Sequence, residues 1–265
     1  MVKMNNMNLK SNVLKNKLRL NQVTLGSWIT LNNPAIAEIM SNAGFDWLTI
    51  DLEHSVIDYF ETENLIRTIE LSGVSPLIRL SSNDPIQIKR VMDAGAHGII
   101  VPVVNTAEQA QAAVDAMYYP TRGKRGVGLA RAQGYGSSFE DYCDWLGDNA
   151  IIIVQIEHID AVNNIEEILD TPHIDGLILG PYDLSASMGK PGKFEDKDVQ
   201  ESIDYVLKMA NKKSMPSGIH IIEPNVNELK MRIDMGFKFL AYSLDVRMLD
   251  AVSREGINIK NNLCS

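Results

Sequence analysis

From Gln22 onward the chain alternates a short run of β-branched and aliphatic residues with a longer stretch of helical periodicity, eight times over. The short runs fall at 24–29, 47–51, 75–80, 98–101, 151–156, 176–179, 217–221 and 239–242. Helical stretches intervene at 34–43, 59–72, 85–94, 106–117, 161–169, 198–212 and 225–235, several of them stopped by Gly44, Gly73, Gly95 or Gly236. Apolar runs such as Ile151-Ile152-Ile153-Val154 suit strands covered on both faces, so the order predicts parallel strands with helices outside them. Eight such units close into a (β/α)8 barrel, a fold that commonly uses about 250 residues as one domain. The competing open, doubly wound sheet would bring a Gly-rich dinucleotide turn after the first strand, and Gly26-Ser27-Trp28-Ile29 is not one. Residues 22–265 are therefore read as a single barrel domain that includes a C-terminal helix. Residues 1–21 are read as an arm entering a short amphipathic helix near 12–18. Two segments break the period: 119–148 is expected to be a long functional loop, and 189–196 a shorter lid.

A net charge of −9 argues against a nucleic-acid or anionic-membrane surface, which needs clustered Lys and Arg. Small anionic substrates remain compatible, because a local arginine or bound metal overrides the global sign. With only Cys143 and Cys264 and no secretory h-region, a reduced, cytoplasmic protein is expected. No apolar run reaches the length of a membrane span.

In such a barrel the strand C-terminal ends converge on one mouth, which selects Trp28, Asp51, His54, Arg79, Gln155, Glu157 and Asp183. Carboxylates are costly at an apolar rim unless a cation or partner compensates them. Glu157 and Asp183, on neighbouring strands, suit an oxygen-ligated Mg²⁺ or Mn²⁺; helix capping or pairing with lysine is the alternative for each. In Asp51-Leu52-Glu53-His54 the aspartate could hold the imidazole for general acid/base work, and Glu53 is a rival metal ligand. Arg79 ends an apolar strand and needs an anion, either a substrate oxygen or a mouth carboxylate. No lysine ends a strand, which argues against Schiff-base chemistry. The segment from Arg122 to Gly128 lacks the spacing of a phosphate loop. His97, His158, His173 and His220 are read as structural.

Together these motifs resemble the HpcH/HpaI aldolase family. The resemblance rests on Gly26-Ser27-Trp28, Phe45-Asp46-Trp47, Asp51-Leu52-Glu53-His54, Ile78-Arg79, Asp93-Ala94-Gly95-Ala96, Arg125-Gly126-Val127-Gly128, Gln155-Ile156-Glu157 and Gly180-Pro181-Tyr182-Asp183, in order between about 25 and 245. It implies a barrel of the phosphoenolpyruvate/pyruvate superfamily and a homo-oligomer, a hexamer in which the last helix packs on a neighbouring barrel. It further implies a divalent Mg²⁺, Mn²⁺ or Co²⁺ held by Glu157 and Asp183, His54 as acid/base residue oriented by Asp51, and Arg79 on the pyruvate ketone oxygen. Trp28, Gln155, Gly180 and Pro181 would line the substrate site, with Asp93 supporting it. The chain departs from the family at Leu52, where several relatives carry glycine, and from the namesake at 218–224 and at Tyr242-Ser243-Leu244-Asp245, so the namesake's aldehyde is not carried over. The implied activity is metal-dependent, reversible cleavage of a 4-hydroxy-2-oxo acid to pyruvate and an aldehyde. A lyase for an acyl-CoA hydroxyacid is the alternative enzyme, with Arg122, Lys124 and Arg125 as its cluster for the CoA phosphates. A non-catalytic barrel that binds a keto acid is the alternative from another class.

Overall fold

A computed structural model describes residues 11–264, so the first half of the N-terminal arm lies outside the described residues. Eight parallel strands close into a barrel with neighbours in chain order. They are β1 (Thr24–Ile29), β2 (Trp47–Asp51), β3 (Ser75–Arg79), β4 (Gly98–Val101), β5 (Ile151–Ile156), β6 (Gly176–Leu179), β7 (Ser217–Ile221) and β8 (Phe239–Leu244). Alternation thus closes the sheet, as the sequence order requires.

The inner core is built on an apolar cluster. The Trp47 ring stacks on Phe239 with centroids 4.1 Å apart and planes 5° apart, among Leu77, Ile100, Ile151, Ile153 and Ile178. Gly26 makes room for that stack, since a Cβ there would lie 1.9 Å from the Trp47 ring. Helix α1 (Val13–Arg19) plugs the N-terminal end of the barrel with Leu14 and Leu18. It is anchored by Lys15, which donates to the Ala150 carbonyl at 2.7 Å and pairs with the Asp175 carboxylate. With that end sealed, the opposite mouth is the open one.

The outer helices from α2 (Pro34–Asn42), α3 (Tyr59–Leu71) and α4 (Pro85–Asp93) to α5 (Ala107–Met117) follow the expected spans. Three places differ. The expected long loop contains a 3-10 turn, Arg131–Gly136, and helix α6 (Phe139–Asn149), whose buried Tyr142, Trp145 and Leu146 sit at helical spacing. The helix expected over 161–169 is broken at Asn164 into α7 (Ile159–Asn163) and α8 (Ile165–Leu169). After β6 the chain enters α9 (Pro181–Ser187) at once, with Gly180 as N-cap and Pro181 at a first-turn position, where its missing N–H costs nothing. Asp183 therefore stands on the first turn of a helix rather than on a strand end. Helices α10 (Lys197–Lys212), α11 (Val226–Asp234) and α12 (Asp245–Cys264) complete the chain.

Candidate active site

Asp51 and Arg79 form the last rung of the β2–β3 register, so their side chains leave adjacent strand ends together. Arg79 donates from Nε to Asp51 Oδ1 at 2.8 Å and from Nη2 to Oδ2 at 2.6 Å, a forked pair that holds the guanidinium in one plane. That plane lies over Trp28, 4.3 Å from the ring centroid, and Nη1 lies 3.4 Å from Glu53. Trp28 Nε1 is buried with no hydrogen-bond partner among the described residues.

The expected contact between Asp51 and the His54 imidazole is not made. Asp51 Oδ1 accepts the backbone N–H of Glu53 at 3.0 Å and of His54 at 3.3 Å, because the tetrapeptide folds as a turn closed on the aspartate. The imidazole stands out into the mouth, 67% exposed, with Glu53 its nearest carboxylate at 3.9 Å.

Glu157 follows β5 and is buried. Its Oε1 accepts the Val103 N–H at 2.7 Å and its Oε2 accepts from the Gln155 amide. Val103 makes that bond from a left-handed backbone, φ 52°, an uncommon conformation for a β-branched residue and a local strain of the kind that marks functional sites. Gly180 lies against the carboxylate, since a Cβ there would come 3.0 Å from Glu157 Oε2. Asp183 lines the mouth and has no ion-pair or hydrogen-bond partner among the described residues.

Burial raises the Glu157 and Glu53 carboxyls above the ordinary carboxylate range, and the charge of Asp183 pushes both the same way. Glu53 Oε2 is buried without a hydrogen bond. Among the described residues no three His, Cys, Asp or Glu side chains already form a metal cage. Carboxylates that repel one another, with Asp183 unpartnered among the described residues, nonetheless fit a divalent cation with oxygen ligands.

The mouth opens on a cavity of about 820 Å³ whose walls include Trp28, His54, Gln155, Gly180, Pro181 and Asp183. Asp93 is not among its walls. As the last residue of α4 it lies toward the opposite end of the barrel, where it pairs with the buried guanidinium of Arg125. The reason is topological: each outer helix runs back toward the N-terminal ends of the strands. Lys124 pairs with Asp115, and Arg122 donates to the Gly147 carbonyl at 2.6 Å. The three basic residues of this segment therefore form no open phosphate groove. His220, read as structural from the sequence, does line the cavity.

The HpcH/HpaI aldolase/citrate lyase family model matches residues 24–250. The chain belongs to that family. It is an enzyme of the aldolase type, and cleavage or formation of a carbon–carbon bond is its reaction class. Among curated relatives, the 2-dehydro-3,6-dideoxy-6-sulfogluconate aldolase of Pseudomonas putida is 35% identical over 239 residues, covering 90% of this chain and 92% of the relative. The hydroxypyruvate/pyruvate aldolase of Sagittula stellata is 35% identical over 244 residues, covering 92% and 95%. Among solved structures, a family protein from Burkholderia cenocepacia superposes with a TM-score of 0.90 at 30% identity, covering 95% of this chain and all of that one.

Proposed function

We propose that this family member cleaves a 4-hydroxy-2-oxo acid reversibly to pyruvate and an aldehyde, with a divalent cation at Glu157 and Asp183. The observation that carries the reading is the meeting, at one mouth, of the buried Glu157 and the unpartnered Asp183 with the pre-oriented guanidinium of Arg79. A cation bound there supplies Lewis-acid polarisation of the 2-oxo group, and Mg²⁺, Mn²⁺ and Co²⁺ all suit the ligand set.

In cleavage the C3–C4 bond breaks, its electron pair moves toward the 2-oxo oxygen, and the 4-hydroxyl loses its proton as the aldehyde forms. His54, at the rim and free of Asp51, accepts that proton and returns it in condensation. Arg79 has five N–H donors, two of them held by Asp51; Nη1 stands 3.4 Å from Glu53 without a hydrogen bond and is the donor that would stabilise charge on the enolate oxygen. Asp51 acts on Arg79, fixing its plane, and the Gln155 amide and the Val103 N–H fix Glu157. Pyruvate leaves once the enolate is protonated at C3.

The tying of Arg122, Lys124 and Arg125 into local contacts favours a free oxo acid over a CoA thioester. Buried charges converging on one mouth favour catalysis over a scaffold role. The exposed Leu249, Val252, Ile257 and Ile259 of α12 favour packing of that helix on a second copy in a homo-oligomer, the hexamer that the family resemblance implies.

Calorimetric titration of chelator-treated protein with Mn²⁺ tests the site. One cation per chain should bind, and Glu157→Gln or Asp183→Asn should weaken binding by about tenfold or more. Undiminished binding in both variants would sink the assignment.

A further inference from the structure

Beyond Arg79, the cavity wall is built from β7, the turn after it, α11 and the start of α10, and its polar groups are mostly acceptors. His220 packs on Trp28 with ring centroids 5.4 Å apart, and its Nε2 lies 3.2 Å from the Ser243 carbonyl oxygen. A carbonyl only accepts, so Nε2 carries the proton. Burial, reinforced by the Arg79 charge against the pull of the Ser243 bond, lowers the ring to about 4, which leaves it neutral at neutral pH. Nδ1 is then an acceptor, and no described residue donates to it. Such a group on a substrate wall calls for a donor on the substrate.

Farther out the wall presents Glu195, Glu223 and Glu228 together with the amides of Gln200 and Asn227. The wall's outer cation, Arg232, is held by Glu228 at 3.2 Å. Arg247, behind the wall, binds both oxygens of Glu223, at 2.9 and 3.0 Å, and also pairs with Asp250. Every guanidinium there is already matched to a carboxylate, and Glu195 has no described cation partner, so the outer wall is net negative. An aldehyde bearing a carboxylate or sulfonate would meet repulsion there and find no free cation. Hydroxyl groups could donate to the carboxylates and exchange hydrogen bonds with the two amides. A cavity of about 820 Å³ also leaves room for several carbons beyond pyruvate.

We propose that the aldehyde partner is a neutral, polyhydroxylated one, with His220 Nδ1 receiving a hydroxyl nearest the reacting carbon. This rests on the aldolase reading above and narrows it. Sites built to hydrogen-bond a substrate hydroxyl discriminate strongly against analogues that lack it.

The test is Mn²⁺-loaded condensation of pyruvate with glyceraldehyde, erythrose, propionaldehyde, glyoxylate and succinic semialdehyde, with exchange of the pyruvate methyl protons followed in parallel by NMR. Glyceraldehyde and erythrose should exceed the two anionic aldehydes and propionaldehyde by about tenfold or more in kcat/KM. In His220→Leu the ratio of glyceraldehyde to propionaldehyde should fall toward one, whereas a purely structural role would lower both together. His220→Asn, which keeps an acceptor, should retain part of the ratio. An anionic aldehyde used as well as glyceraldehyde, an unchanged ratio in His220→Leu, or proton exchange with no condensation on the hydroxylated aldehydes would overturn the inference and leave the aldolase reading standing. Loss of both exchange and condensation would overturn the reading and this inference with it.

Discussion

Arg79 and Asp51 face each other across the final rung of β2 and β3 and are joined by two parallel hydrogen bonds of 2.8 and 2.6 Å. Their pairing means that the arginine, not the histidine, is the group the aspartate orients. Arg79→Lys keeps the charge but not the fork, and it should lower kcat/KM by about a hundredfold with little change in melting temperature. Steady-state kinetics beside a thermal melt checks it, and a lysine variant with near-native turnover would contradict the role.

His54 is 67% exposed and its imidazole has no strong hydrogen bond, so its loss should not unsettle the fold. His54→Ala should melt like the parent while kcat falls by about a hundredfold or more, the typical worth of a general acid/base group.

Glu53 and Glu157 carry carboxyls raised above their ordinary 4.5 by burial. Between 4.5 and those raised values the folded chain binds more protons than the unfolded one, so the metal-free protein should gain stability as pH falls through that window. Above the raised values the penalty is fully present and flat. Glu157→Gln should shrink the gain and raise metal-free stability at neutral pH. Melting curves against pH, taken in chelator, measure both.

Asp93 balances an Arg125 side chain with no solvent exposure, far from the mouth. Asp93→Ala should cost about 3 kcal/mol, the order expected when a buried charge loses its partner. Denaturant unfolding gives that number, and KM for the oxo acid should stay put. A shifted KM with unchanged stability would return Asp93 to the site.

All eight strands were legible because each is an apolar run between helical stretches, and a closed barrel is the arrangement that buries such runs on both faces. Convergence at the mouth followed from the same rule for Trp28, Arg79 and Gln155. The partners of Asp51 were not legible, because two competed for one carboxylate: the nearby imidazole, suggested by spacing, and the register-matched guanidinium, which spacing does not show. Helix α6 was hidden by the Arg- and Gly-rich residues before it, although Tyr142, Trp145 and Leu146 carried its period. Val103 gives no signal, since a valine in sequence does not show the left-handed backbone from which its N–H meets the Glu157 carboxylate. His220 is hard to single out because a histidine inside a strand is more often packing than function; its position second from the end of β7 is the cue.

The most direct measurement is pyruvate release, coupled to lactate dehydrogenase, from racemic 4-hydroxy-2-oxo acids, using chelator-treated protein with and without added Mn²⁺. Release that appears only with metal and is lost in Asp183→Asn is the expected result. Equal release in chelator, or none from any 4-hydroxy-2-oxo acid by folded, metal-loaded protein, would contradict a cation-assisted pyruvate aldolase at this mouth.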